Sequence, residues 1–394
     1  MSVAVAILVI AAVVIVQLVR PMPKITLRTS LPSTFTVGGA RVNLPWPGAG
    51  QSAVAIENVG AMGSAGATSP QPIASLAKMM TALVVLRRHP LPVGESGPTL
   101  TMTAADVATY QHDLAGGQSV LQVAAGEKLT EQQLLQGMLI PSGNNIASLL
   151  ATWDAGSMAA FVHRMNATAR RLGMRDTHYA DASGVQPGTV STAADQLLVA
   201  EADMRIPAFR AIVAMPQATL PVANTVFNVN YFLGHGGIIG IKTGTTSESG
   251  GCYVAAAYRT VDGHQVLVLA AVLGQGGVQP LLAALNAGLN LINAAGRVLT
   301  ITNAVKAGTI AGELIVPWSH PVQVRVPSTV PFVGWSHLSG TRRIIPSRTL
   351  GRSVRAGARV GTLRLTLGQQ RATVPLKATA AIAPPPWWWR LTRV

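Results

Sequence analysis

The sequence predicts an α+β fold, with an antiparallel sheet and flanking helices, followed by a small all-β domain. Three observations carry this. Between residues 50 and 297 segments of helical period alternate with short strand-like runs. Within that stretch "GCYVAAAYR" and "HQVLVLAAVLG" are separated by a turn containing Asp262-Gly263, a hairpin signal that makes the pair antiparallel. From 298 to 379 the helical period fades, and alternating runs such as "VQVRV" and "VGTLRLTL" are punctuated by Gly, Pro and Ser.

Taken in order, the chain opens on "VAVAILVIAAVVIVQLV", 17 residues from Val3 to Val19 with Gln17 as the only polar one. This is near the lower limit for a bilayer-spanning helix and longer than the apolar part of most cleavable export signals, so residues 1–22 are expected to be a membrane anchor or signal. A buried core helix is the alternative. Arg20, Lys24 and Arg28 follow the run and no basic residue precedes it, which runs against the charge bias expected for an exported body. Residues 23–49, rich in Pro, Gly, Ser and Thr, read as a linker into a first strand near Ser52–Ile56. "PIASLAKMMTALVVLRR", residues 72–88, is apolar on all sides and predicts a buried helix that nevertheless carries Lys78. Thr130 and Gln133 have capping-box spacing at the start of a helix that stops before Pro141, leaving Ser142-Gly143-Asn144 on a connection between two helices. In "QPLLAALNAGLNLINAAG", Leu281, Leu282, Leu285, Leu289 and Leu291 are expected to pack on the sheet. Residues 380–394, with Pro384–Pro386, three tryptophans and two arginines, suit either a bilayer interface or a disordered tail.

With 394 residues, 49% hydrophobic and 11% charged, the chain has material for two packed cores. The lone Cys252 excludes an intrachain disulfide and reads as a small core residue. The 8 histidines form no metal-type pair, so no metal and no cofactor is expected. The net charge is +15, and after Glu313 there is no acidic residue but twelve basic ones: Arg325, Arg342, Arg343, Arg348, Arg352, Arg355, Arg359, Arg364, Arg371, Lys377, Arg390 and Arg393. Such a block attracts anionic lipid or wall polymers. No nucleic-acid partner is expected, because the aromatic and finger motifs that would accompany it are absent.

Ser75 and Lys78, three residues apart on a helix, share one edge of it. A lysine takes a proton from serine only if burial and a second cation lower its pKa, and the apolar helix supplies the burial. Alone the pair is weak: Ser-x-x-Lys arises by chance about once in a chain of this length, as a surface lysine beside a capping serine. Ser142 and Asn144 add a hydroxyl and an amide that can converge on one cleft. In "GGIIGIKTGTTSESGG" a strand leads into Lys242, a candidate second cation, Thr243, a candidate carboxylate ligand, and Gly244, which permits close approach.

Ser-x-x-Lys, Ser-x-Asn and Lys-Thr-Gly in this order, at intervals of 67 and 100 residues, are the signatures of penicillin-recognising serine enzymes. "IASLAKMMTALVVL", "GEKLTEQQLLQGMLIPSGNN", "FVHRMNATARRLGMRDTHYADASGV" and "GIIGIKTGTTSESGGCYVAAA" together resemble the low-molecular-weight D-alanyl-D-alanine carboxypeptidases, and "VRAGARVGTLRLTLGQQRATVPL" is similar to the end of their C-terminal β domain. The resemblance implies a penicillin-binding/β-lactamase-like transpeptidase domain with a helical subdomain at 50–297. It implies removal of the terminal D-alanine from peptidoglycan stem peptides through an acyl-enzyme, and covalent inhibition by β-lactams. Ser75 is then the nucleophile, Lys78 the base, Ser142 and Asn144 the relay and amide clamp, Lys242, Thr243, Gly244 and Thr245 the substrate-binding strand, with the backbone N–H groups of Ser75 and Thr245 as oxyanion donors. A catalytic domain at the cell membrane, facing away from the cytoplasm, is expected, seated through the apolar N-terminal segment and, on one of its two readings, the tail. The tail departs from the family in being too short after Pro386 for the amphipathic helix that often ends it. Asn145 stands where the family usually has Asp. The rival functions are a DD-endopeptidase, a class A-like β-lactamase, disfavoured because no Glu-x-x-Leu-Asn stretch lies between the second and third motifs, and an inactive wall-binding homologue.

Overall fold

Strand length and burial explain how the first half of the chain is laid down. The computed structural model describes residues 2–348 and 350–392. Its chain divides into a unit of residues 43–299 and a second unit built from 1–42 and 300–394.

In the 43–299 unit, strands β1 (Gln51–Ile56), β2 (Gly60–Gly66), β3 (Ile238–Thr246), β4 (Gly250–Val261) and β5 (His264–Gln275) form one antiparallel sheet in the order β3-β4-β5-β1-β2. β4 and β5 pair from Val261–His264 at the Asp262-Gly263 turn, the expected hairpin. Cys252 to Ala257 and Leu267 to Leu273 are buried without alternation, as strands covered on both faces must be. Six of the unit's helices are α1 (Ala77–Arg88), α2 (Glu131–Leu139), α3 (Asn144–Ala155), α4 (Met158–Leu172), α5 (Ala193–Met204) and α6 (Pro280–Val298), beside two more at Ala104–Ala115 and Pro207–Val213. α6 packs on β4 and β5, while α5 packs on β5 and β1. On α6 the buried stripe is Ala284, Leu285, Gly288, Leu291, Ile292 and Ala295. Leu282 of the expected set instead points outward at 41% exposure, because at roughly 100° per residue it lies about 120° around the helix from Gly288, the middle of that stripe. A Cβ on Gly288 would lie 2.6 Å from the Tyr253 ring, so only glycine lets the helix settle there.

α1 runs through the interior: every residue from Ala77 to Leu86 is buried, Lys78 included. Truncating Leu83, fully buried there, to Ala would cost about 2–5 kcal/mol. The predicted capping box is formed, with Gln133 N–H donating to Thr130 Oγ1 (3.3 Å) and Thr130 N–H to Gln133 Oε1 (3.0 Å).

The second unit is a seven-stranded antiparallel sheet in the order Thr26–Thr29, Ile310–Val316, Ser319–Arg325, Gln370–Ala378, Arg359–Leu367, Ser339–Pro346, Thr34–Thr36. Both margins of this sheet come from the stretch read above as linker. Strands of four and three residues are too short to show a period in sequence, and their pairing partners lie hundreds of residues away. The core is aliphatic, from Leu314 and Val324 to Leu363, Leu365 and Leu376.

Residues Ser2–Val19 form an 18-residue helix. At 1.5 Å per residue this gives about 27 Å, short of a hydrocarbon layer of about 30 Å. Among the described residues no helix is long and apolar enough to cross a membrane, so the transmembrane reading of residues 1–22 finds no support here. The tail ends in a six-residue helix, Trp387–Thr392, which contacts the N-terminal one. Trp389 meets Trp318 edge-on, with ring centroids 5.3 Å apart.

Candidate active site

Ser75 lies in a single 3₁₀ turn, Ala74–Leu76, that runs straight into α1. The turn begins on Ala74 at φ +47°, and across the cleft Ser142 has φ +69°. Among the described residues the other non-glycine positions at positive φ are Asn58, Asn224, Asp262 and His337, types that tolerate it, so Ala74 and Ser142 stand out. Each such position costs roughly 1–3 kcal/mol and persists only where its surroundings enforce it.

Lys78 Nζ lies 2.7 Å from Ser75 Oγ, 3.2 Å from Ser142 Oγ and 2.5 Å from Asn144 Oδ1. The side chain is fully buried, and burial, followed by the positive charge of Lys242, holds its pKa well below the ordinary lysine value; Asp181 and Asp113 oppose this. A neutral amine has two N–H donors and one lone pair, which matches these three neighbours. As an ammonium Nζ donates to all three oxygens; as an amine it would keep two donors for Ser142 and Asn144 and a lone pair able to accept from the Ser75 hydroxyl.

Asn144, the first residue of α3, is oriented from outside the motif. Its Nδ2 donates to Gln118 Oε1 (2.7 Å) and its N–H to Ser119 O (2.8 Å), so Oδ1 faces Lys78. Asn145 is explained by the same loop. Its Oδ1 accepts from Leu121 N–H and its Nδ2 donates to Leu121 O, both at 2.9 Å. An aspartate could not make the second bond.

β3 is the outermost strand of its sheet. Lys242 is buried, its Nζ donates to Thr243 O (2.9 Å), and burial brings its pKa down to about 7. Thr243 is buried as well, and Thr245 is exposed with its hydroxyl donating to Gly244 O (2.8 Å). A Cβ on Gly244 would stand 2.9 Å from Ser75 N and 3.2 Å from Ile73 O, so glycine brings the strand against the turn that carries Ser75. Thus Ser75, Lys78, Ser142 and Asn144 meet in one cluster, and Lys242 and Gly244 border it.

A family model described as D-alanyl-D-alanine carboxypeptidase matches residues 49–276, more than half of the chain. The chain belongs to this family. Among its relatives, a D-alanyl-D-alanine carboxypeptidase of Mycobacterium tuberculosis, DacB2, is 35% identical over 210 residues, covering 52% of this chain and 67% of the relative. A D-alanyl-D-alanine endopeptidase of Pseudomonas aeruginosa is 30% identical over 190 residues, covering 46% of this chain and 58% of the relative. The crystal structure of the D-alanyl-D-alanine carboxypeptidase DacD from Francisella tularensis has a TM-score of 0.60 at 20% identity, covering 89% of this chain and 96% of that one, and so shares the fold.

Two residues of this family member's site escaped the sequence reading: Gln118, and Asp181, whose hydrogen bonds close the loop behind Ser75. Gln118 belongs to no motif and its contact with Asn144 spans 26 positions, while Asp181 lies within the stretch 161–185 that carries the resemblance but has no role legible from it. Cys252 is buried, burial pushes its thiol up to about 11, and it takes no part in the cluster. Glu201 sits on α5 in an ion pair with Arg205 (2.6 Å). Among the described residues no group of three His, Cys, Asp or Glu side chains is placed to hold a metal ion.

Proposed function

We propose that this chain is a serine D-Ala-D-Ala carboxypeptidase in which Ser75 Oγ attacks the carbonyl between the last two D-alanines of a peptidoglycan stem peptide. Lys78 takes the hydroxyl proton as the Oγ–C bond forms, and Ser142 relays a proton to the departing amine as the C–N bond breaks. Free D-alanine leaves. Water then cleaves the ester, returning Ser75 and a peptide shortened by one residue. The N–H groups of Ser75 and Thr245 receive the oxyanion, Asn144 holds the substrate amide, and Lys242 with Thr243 takes the terminal carboxylate. β-Lactams enter the same acylation and stay bound. The observation that carries this reading is the buried amine of Lys78 within hydrogen-bond distance of two hydroxyls and an amide oxygen, with no carboxylate among the three.

The deciding experiment is intact mass after incubation with benzylpenicillin, followed by mapping of the modified peptide. Ser75→Ala is expected to abolish labelling and to cut D-alanine release from a pentapeptide by at least about 10³-fold. Release that persists in the variant refutes the assignment. The Pseudomonas aeruginosa relative favours a second reading, DD-endopeptidase, and a faster rate on cross-linked dimer than on pentapeptide would establish it.

The catalytic unit is further assigned to the outer side of the cell membrane, where such stem peptides are exposed. The N-terminal helix, with Val3, Leu8 and Ile15 more than half exposed, supports seating on the membrane surface, as do Trp387 and Trp388 and the twelve basic residues after Glu313. Flotation with phosphatidylglycerol vesicles, lost on deleting residues 1–22, is the expected result; equal recovery of the deleted protein removes that role.

A further inference from the structure

The loop behind the nucleophile is closed by a single carboxylate. Asp181 is 5% exposed. Its Oδ2 accepts from the N–H groups of Ser183 (3.2 Å), Gly184 (2.9 Å) and Val185 (3.0 Å) and from the Ser183 hydroxyl (2.7 Å). Its Oδ1 accepts from the Thr189 hydroxyl (2.5 Å), whose oxygen accepts in turn from the N–H groups of Ala180 and Asp181. Five donors on one side chain fold residues 181–189 into a fixed turn.

That turn meets the active site at three points. Ile73 N–H donates to Thr189 O (3.3 Å). Gly184, at φ +83°, lies so close that a Cβ would fall 1.8 Å from Ala74 O. The Thr81 hydroxyl donates to Ala182 O (2.6 Å). Ile73 and Ala74 precede Ser75, and Thr81 lies one helical turn past Ala77, so the three anchors bracket both Ser75 and Lys78. They also supply what the left-handed Ala74 requires, surroundings that hold it in place.

We propose that Asp181 is a positioning residue for acyl transfer: by closing the 181–189 turn against Ile73, Ala74 and Thr81 it holds Ser75 Oγ within reach of Lys78. This rests on Ser75 being the nucleophile. The carboxylate also acts on Lys78 through space. With Asp113 it favours the ammonium form, while burial and Lys242 favour the amine; Ser75, Ser142 and Asn144, the other groups around Nζ, are uncharged.

The test is the second-order rate of acylation by benzylpenicillin as a function of pH, on the full chain, with thermal unfolding recorded for each variant. Asp181→Ala loses all five acceptor contacts, and acylation is expected to fall at least about 30-fold through misplacement of Ser75. Asp181→Asn keeps one oxygen for the N–H groups of Ser183, Gly184 and Val185 but faces Thr189 Oγ1 with an N–H donor, and because that oxygen already accepts from Ala180 and Asp181 the tie to Thr189 is lost. It is expected to recover to within about fivefold of the native rate, with the ascending pH limb moved to lower pH, because removing the negative charge lowers the pKa of Lys78 further. Thr189→Val removes the hydroxyl that donates to Asp181 and accepts from the N–H groups of Ala180 and Asp181, and leaves the charge. It is expected to slow acylation about threefold with the limb unmoved, and it decides the matter should Asp181→Ala not fold. A folded Asp181→Ala protein with native acylation overturns the proposal, as does an Asp181→Asn protein no faster than Asp181→Ala. Failure of the native protein to acylate at Ser75 would instead strike the proposed function.

Discussion

Asp154 and Lys78 are both buried among the helices of the 43–299 unit, and their surroundings differ in kind. Asp154, with a side chain at 0% exposure, receives Arg88 Nε at 2.7 Å, Arg164 Nη1 at 2.6 Å and His89 Nε2 at 3.2 Å. Its charge is matched and three helices, α1, α3 and α4, are tied together. Lys78 has only uncharged oxygens within hydrogen-bond distance and a like charge, Lys242, beyond them. A buried charge with partners of opposite sign is a fastener; a buried ammonium without them holds its proton less tightly and is suited to act as a base.

The contrast can be tested by removing each group. Lys78→Met keeps the bulk and deletes the proposed base, so acylation should fall about 10⁴-fold, near 5.5 kcal/mol at 1.36 kcal/mol per decade. The unfolding midpoint should hold or rise, since an uncompensated polar group leaves the core. Activity within tenfold of native would break the comparison. In the native enzyme the rate should climb with pH as Lys78 loses its proton, and its limb should lie well below the ordinary lysine range, because burial lowers that pKa.

Asp154→Ala should do the reverse, lowering stability in denaturant titration while leaving acylation near native. Breaking a fully buried pair costs about 3–5 kcal/mol. Here Arg88 and Arg164 are 50% and 34% exposed and can turn to water, so about 2 kcal/mol is expected. The smallest effect sharpens the scale. Glu201→Ala removes an i,i+4 pair whose arginine is 53% exposed, and the loss should stay below about 0.5 kcal/mol by the same titration.

The difference between the two charges was only half legible in the sequence. Ser75, Lys78, Ser142, Asn144 and Lys242 could be named because local spacing and order carry them, and the greasy run around Lys78 announced its burial. The Asp262-Gly263 hairpin was likewise written locally. Gln118 and Asp181 were not named, because each works through a loop whose partners come from distant elements and whose own composition is ordinary. The strands at 26–36 were missed for a related reason: three or four residues hold no period, and only the far sheet gives them one. Leu282 was misplaced because the buried stripe is centred on the small residues Ala284, Gly288 and Ala295, which a count of leucines does not weigh.

The marginal position of β3 in its sheet has a consequence for which molecules the cleft accepts. A guest laid along that strand is gripped by amide and carbonyl groups common to all peptides. Such a grip is blind to most side chains, so variation midway along a wall peptide should be forgiven, and strictness should fall on the last two residues, where stereochemistry and a free carboxylate meet fixed groups. A small rigid amide that copies those two features needs nothing else to gain entry, which is how an antibiotic can pass for a piece of cell wall.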